Sequence, residues 1–228
     1  MAGEWLMIMG NEKIIYLDYA ASTPVLPEVL AVMSPYFSER FGNPGSIHKK
    51  GQEAMKAVDG ARETVKNFLG AAFLREIIFT GSATEANNLA IRGLAFPFQY
   101  SGFDGAKERL RPHIITTQIE HESVLETCRA IEKEGVLEVT YLKPTADGLI
   151  TPEQVKAALT PETILVSIGY ANNEIGVIQP IYEIAGIIRD FKMRTVEGKS
   201  RSGNNTRLAP GSLPYFHTDA VQAVQFLD

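Results

Sequence analysis

Cysteine is nearly absent: among 228 residues, Cys128 alone carries a thiol. That excludes a disulfide framework and any multi-thiolate metal site within one chain, and it points to a reducing compartment. An excess of basic charge is missing too. The formal net charge of -5 comes from 22 basic and 27 acidic residues mixed along the chain, so no basic face stands ready to neutralise a run of phosphates. No uninterrupted apolar run approaches the roughly 20 residues that span a bilayer. Residues 1–10 are apolar but contain Glu4, lack a basic start and lead into the strand-like Ile14-Ile15-Tyr16-Leu17, which makes them a poor export signal. The expectation is a cytoplasmic protein whose partners include neither nucleic acid nor membrane. No Gly-x-Gly-x-x-Gly follows any strand candidate, so a nicotinamide-binding domain is weakly supported. There is no internal repeat and no low-complexity tract.

What is present is a chain that is 45% hydrophobic, enough to bury a core, and it fits one large domain better than two small ones. From residue 76 onward, short β-rich apolar runs alternate with longer stretches of helical spacing. Strands are predicted at 76–80, 114–119, 136–142, 163–168 and 215–218, and helices at 85–95, 123–134, 151–159 and 181–191, with two more upstream at 27–37 and 52–68. That alternation predicts an α/β fold with a mostly parallel sheet flanked by helices. Two stretches break the rhythm. Residues 97–112 read as a surface connection, and residues 193–214, rich in Gly, Asn, Pro, Lys and Arg, read as a solvated loop insertion, long for a connection that usually takes about 2–6 residues. A docking role for a partner is the sharper reading of that loop.

Four segments carry chemistry. In Phe79-Thr80-Gly81-Ser82-Ala83-Thr84-Glu85, small residues lie between a strand candidate and a helix. Backbone can approach a ligand closely there, and the first free N–H groups and the helix dipole favour a phosphate monoester. A plain capped turn explains the segment equally well. Glu120-His121 follows a buried strand candidate, at the carboxyl end where ligands sit in open parallel sheets, so His121 could cover a flat ring; a loop histidine is the simpler alternative. Tyr170-Ala171-Asn172-Asn173-Glu174-Ile175-Gly176 places tandem amides after another strand, either to orient a phenolic oxygen or to build a turn. In His217-Thr218-Asp219-Ala220-Val221-Gln222, an acid at a strand end is followed three residues later by an amide. A carboxylate facing a pyridine nitrogen keeps that nitrogen protonated and makes the ring an electron sink.

Taken together, these motifs resemble the class V aminotransferase superfamily, and within it the cysteine desulfurases. Leu17-Asp18-Tyr19-Ala20-Ala21-Ser22-Thr23-Pro24 and Phe41-Gly42-Asn43-Pro44-Gly45-Ser46-Ile47-His48 add to the likeness, which covers essentially the whole chain. The resemblance implies a partial large domain of a fold-type I pyridoxal 5'-phosphate enzyme, incomplete at its carboxyl end, over residues 16–228, with residues 1–15 an amino-terminal arm belonging to the small domain. It implies that Ala83 and Thr84 bind the cofactor phosphate and that His121 stacks on the ring and shuttles protons. Asn173 and Gln222 would approach the ring hydroxyl, and Asp219 the pyridine nitrogen. The family usually reads Ser-Gly where this chain has Gly81-Ser82.

The family's Ser-x-His-Lys segment, which supplies the lysine that binds the cofactor covalently, lies past the last residue, Asp228. So do the loop cysteine that accepts sulfur and the arginine for the substrate carboxylate. The expectation is therefore the amino-terminal portion of a desulfurase, inactive alone. The complete enzyme converts L-cysteine to L-alanine and passes sulfur to a persulfide for iron–sulfur cluster or thio-cofactor assembly. A homodimer or a complementing carboxyl-terminal chain, and a sulfur-acceptor or scaffold protein, are the implied partners. Selenocysteine lyase, or a non-catalytic dimerisation module of the same fold, are the alternatives. No metal is expected, and Cys128 reads as structural.

Overall fold

A computed structural model describes residues 7–9, 12–99, 111–199, 213–224 and 226–227. The chain divides into two compact units, Met1–Phe79 and Thr80–Asp228.

In the first unit, β1 (Met7–Met9) pairs antiparallel with β2 (Glu12–Ile14). The helix predicted over 27–37 is two helices, α1 (Pro27–Met33) and α2 (Pro35–Ser38). Pro35 has no N–H to continue α1, but its fixed φ suits the first position of a new turn. The long helix α3 (Lys49–Leu69) opens with the His48 ring accepting the Gly51 N–H, and closes at Gly70 with φ +66°. Gly51 has to be glycine, because a Cβ there would stand 2.1 Å from the Ser46 carbonyl oxygen. The predicted strand at 76–80 is corrected. Leu74–Glu76 is a single 3-10 turn, its preceding N–H groups at Ala72 and Phe73 held by the Glu76 carboxylate. Residues 77–80 pair with no strand among the described residues. Their composition suits a strand, but a strand forms only where a neighbour takes its backbone hydrogen bonds.

The second unit begins with α4 (Ala83–Gln99) and continues through β3 (His113–Thr117), α5 (Glu122–Lys133) and β4 (Glu138–Leu142). Then come α6 (Pro152–Ala158), β5 (Thr163–Ser167), α7 (Ile181–Lys199) and β6 (Tyr215–His217). The strands form one parallel sheet in the order β4-β3-β5-β6. Both β3 and β5 are buried along their whole length, as a sheet covered on both faces requires. Successive residues feed opposite cores. Ile114 and Leu165 join Ile91, Val124, Cys128 and Ile131, which come from α4 and α5. On the other face Ile115 and Val166 join Val155, Ile184 and Ile188 from α6 and α7.

The connection expected at 97–112 starts later, since α4 runs to Gln99 with Pro97 in its last turn. The loop expected at 193–214 is likewise shortened at its start: α7 continues to Lys199, and residues 200–212 lie outside the described residues. Among the described residues, no helix is long and apolar enough to cross a membrane.

Candidate functional site

Because every strand of the second unit's sheet runs the same way, their carboxyl ends emerge on one rim. The register puts Thr117 beside Leu142 and Ser167 beside His217, so β3 and β4 end level, as do β5 and β6. Backbone bonds carry the alignment past the strands: the Tyr170 N–H donates to the Asp219 carbonyl at 2.9 Å, and the Ile168 N–H to the His217 carbonyl at 3.0 Å.

At the start of α4, the Ser82 hydroxyl accepts the Glu85 N–H at 3.1 Å, and the Glu85 carboxylate accepts the Gly81 N–H at 2.6 Å. The Gly81-Ser82 order therefore supplies a helix cap. Ala83 and Thr84, in the first turn, are exposed. Their own N–H groups have no hydrogen-bond partner among the described residues, and they sit at the positive end of a 17-residue helix. One turn further on, Asn87 is buried, and its Nδ2 donates to Asp219 Oδ2 at 2.8 Å and to Ser123 Oγ at 2.9 Å. Ser123 Oγ lies 2.8 Å from His121 Nδ1, which also accepts the Ser123 N–H at 3.1 Å. His121 is the N-cap of α5, with an exposed side chain. The other oxygen of Asp219 accepts the Val221 N–H at 3.1 Å.

Two of the residues singled out from sequence, His121 and Asp219, are thus joined through two that were not, Asn87 and Ser123. Ala83 and Thr84 stand on the same helix as Asn87. Asn173 and Gln222 are exposed beyond the ends of the neighbouring strands β5 and β6. In the tandem amide the first residue builds the turn. Asn172 Oδ1 accepts the N–H groups of Glu174 and Ile175, while its Nδ2 donates to the Ile119 carbonyl at 2.9 Å and ties the turn to the segment bearing His121.

Glu120 is a further member that sequence reasoning quoted without assigning a role. Its carboxylate accepts the Gly169 N–H at 3.0 Å on both oxygens and the Thr117 hydroxyl at 2.7 Å, clamping the ends of β3 and β5. Burial raises its pKa above the ordinary carboxylate range; these hydrogen bonds oppose the shift, and the charge of Asp219 adds to it. His217, whose Nδ1 lies 2.8 Å from Ser167 Oγ, is pushed below the usual imidazole range by burial, against the pull of Asp219. Thr218, next to Asp219, has a buried hydroxyl with no hydrogen-bond partner among the described residues.

These residues fit a phosphorylated pyridine ring. Two N–H groups in the first turn of a helix suit a phosphate monoester, a carboxylate at a strand end suits a protonated ring nitrogen, and an exposed imidazole is available to cover a ring face.

Comparison with known proteins follows the same line. Residues 15–196 match the family described as Aminotransferase class-V. The cysteine desulfurase IscS of Dictyoglomus turgidum is 43% identical over 213 residues, which are 93% of this chain and 46% of that protein. The putative cysteine desulfurase IscS 1 of Bacillus subtilis is 44% identical over 213 residues, 93% of this chain and 48% of that one. Among solved structures, SspA in complex with cysteine superposes with a TM-score of 0.74 at 40% identity, covering 91% of this chain and 51% of that chain. A NifS-like protein gives 0.74 at 33% identity, over 91% and 49%. The chain spans about half the length of the curated relatives it matches.

Proposed function

Because the chain belongs to the aminotransferase class-V family, whose members depend on pyridoxal 5'-phosphate, we propose that its second unit holds that cofactor in a cysteine desulfurase. When bound, the cofactor supplies an electron sink for carbanion chemistry at the substrate's α-carbon. The protein's part is to bind and orient it. The N–H groups of Ala83 and Thr84 bind the phosphate, Asp219 holds a proton on the ring nitrogen, and Asn173 and Gln222 orient the ring hydroxyl. His121 would cover the ring face and supply a group able to exchange protons with the substrate.

One observation carries this reading. Asp219 and His121 come from different strand ends, yet a continuous hydrogen-bonded chain through Asn87 and Ser123 fixes them relative to each other. Two groups acting on one rigid ring need that kind of mutual constraint.

The substrate proposed is L-cysteine, with L-alanine as product and the sulfur passed to a protein thiol. The relatives' names and the cysteine held by SspA support it. A homodimer or complementing chain and a sulfur-accepting protein belong to the same proposal. The test combines the chain with pyridoxal phosphate, L-cysteine and the carboxyl-terminal half of one such relative, and measures alanine. Alanine release that falls at least about a hundredfold in Asp219→Ala, as the loss of a key electrostatic partner would produce, supports the assignment. Release unaffected by Asp219→Ala contradicts it.

A further inference from the structure

We propose that Ser123 and Asn87 are positioning residues that fix His121 as the tautomer protonated on Nε2, through a one-way chain of hydrogen bonds beginning at the Asp219 carboxylate. The inference deepens the proposed function and rests on its reading of Asp219 and His121 as cofactor contacts.

The direction of the chain follows from what each atom can do. An ionised carboxylate only accepts, so Asn87 must present its Nδ2, not its oxygen, to Asp219 Oδ2 at 2.8 Å. The second hydrogen on that nitrogen is then donated to Ser123 Oγ at 2.9 Å. With its oxygen accepting from Asn87, the Ser123 hydroxyl directs its own hydrogen at the atom 2.8 Å away, His121 Nδ1. The backbone N–H of Ser123 is aimed at the same nitrogen from 3.1 Å. A nitrogen that receives two donors has no room for a hydrogen of its own. The single proton of the neutral imidazole therefore sits on Nε2.

Burial strengthens the argument. Asn87 is 4% and Ser123 7% exposed, so water does not offer either group an alternative partner, and reversing one link strands a polar atom in the interior. A backbone cap alone also orients a histidine ring. What the cap does not do is make the ring's tautomer depend on the charge of a residue 132 positions from Asn87 in sequence. The consequence for a ligand is specific. His121 Nε2 is then a hydrogen-bond donor, and a ligand atom that meets it must be an acceptor.

The test is a multiple-bond nitrogen–proton correlation spectrum of the 228-residue chain, labelled in its histidine rings, at alkaline pH and without cofactor. His121 is assigned by the signal lost in His121→Gln. The expected pattern is a pyridine-type Nδ1 and a pyrrole-type Nε2. Ser123→Ala should lower the ratio of the Nε2–H to the Nδ1–H form about fivefold, the equilibrium weight of one hydrogen bond, and Ser123→Thr should restore it. Asp219→Asn should move the Nδ1 resonance in the wild-type background and leave it in place when Ser123 is alanine. A pyrrole-type Nδ1 in the wild-type chain overturns the proposal, and so does an Asp219→Asn shift that is the same with and without the Ser123 hydroxyl. The backbone cap alone also gives the Nε2–H pattern, so the Ser123→Ala ratio separates the two, and an unchanged ratio overturns the proposal even if the Asp219→Asn chain fails to fold. Cofactor binding is scored separately: its absence alongside the Nε2–H pattern sinks the cofactor reading and leaves the relay standing.

Discussion

Cys128 sits at the contact of α5 with the sheet, with no exposed surface. Burial, with smaller contributions from Glu120 and Glu132, pushes its thiol up to about 12. A thiol so held is neither nucleophile nor metal ligand at neutral pH. Native protein should leave Cys128 unmodified by a thiol reagent over a time in which the denatured chain reacts fully; rapid native labelling would show the packing to be wrong. Gly148 makes a second prediction. Its φ of +79° is a left-handed conformation, and a Cβ would come within 2.9 Å of both Ile175 and Val177 side chains. Gly148→Ala should lose about 1–3 kcal/mol in denaturant unfolding through backbone strain and overpacking together. At this scale the sequence was only partly legible. Asp219 and His121 announced themselves by following strand candidates, whereas Asn87 and Ser123 looked like ordinary helix residues. Their roles depend on meetings across 132 and 36 residues, which no local pattern encodes. Glu120 was hidden for the same reason, its partner Gly169 being 49 residues away.

Among the elements, the four strands of the parallel sheet and the helices between them were readable because each apolar run had a neighbour to pair with, and the two central strands, β3 and β5, a core on both faces. The run at 77–80 has equally good composition and pairs with nothing among the described residues, so composition alone overstated it. Breaks set by proline were legible in chemistry but not in position: Pro35 splits a predicted helix, while Pro97 is accommodated in the last turn of α4. Capping is the most directly testable element property. Thr151 and Gln154 form a reciprocal box at the start of α6, the Thr151 hydroxyl accepting the Gln154 N–H at 3.2 Å and the Gln154 side chain accepting the Thr151 N–H at 2.9 Å. Thr151→Ala should cost about 1 kcal/mol, read as a lower denaturant midpoint at unchanged slope; an unchanged midpoint would mean that the box adds nothing in this setting.

For the molecule as a whole, pH should act through two histidines at opposite ends of the sheet. His113 begins β3 between the Thr163 and Thr140 hydroxyls, at 3.0 and 2.8 Å, and burial lowers its pKa from the ordinary 6.5, against Glu138 and Glu162. His217, at the end of β6, is lowered in the same way. A lowered imidazole pKa means that the unfolded chain binds protons first. Stability should therefore be fully present above the unfolded value of about 6.5 and decline as pH falls from there toward the folded values. Glu120 acts in the opposite sense: its raised pKa favours the folded state below the ordinary 4.5 and withdraws that contribution as pH rises through the folded value. Melting temperatures across this range, in wild type and His113→Gln, would reveal the histidine part as a shallower acid-side decline in the variant; parallel curves would remove His113 from the account.

The central claim is that Ala83, Thr84, His121 and Asp219 together hold pyridoxal 5'-phosphate. A direct equilibrium titration of the cofactor against the purified chain, followed by the ring's absorbance and by the phosphate's phosphorus resonance, tests it. The account predicts saturable binding at one cofactor per chain, with a shifted phosphorus signal, weakened about tenfold or more by Asp219→Ala through loss of a charge-assisted hydrogen bond. Binding that does not saturate, or that Asp219→Ala leaves unchanged, would contradict it.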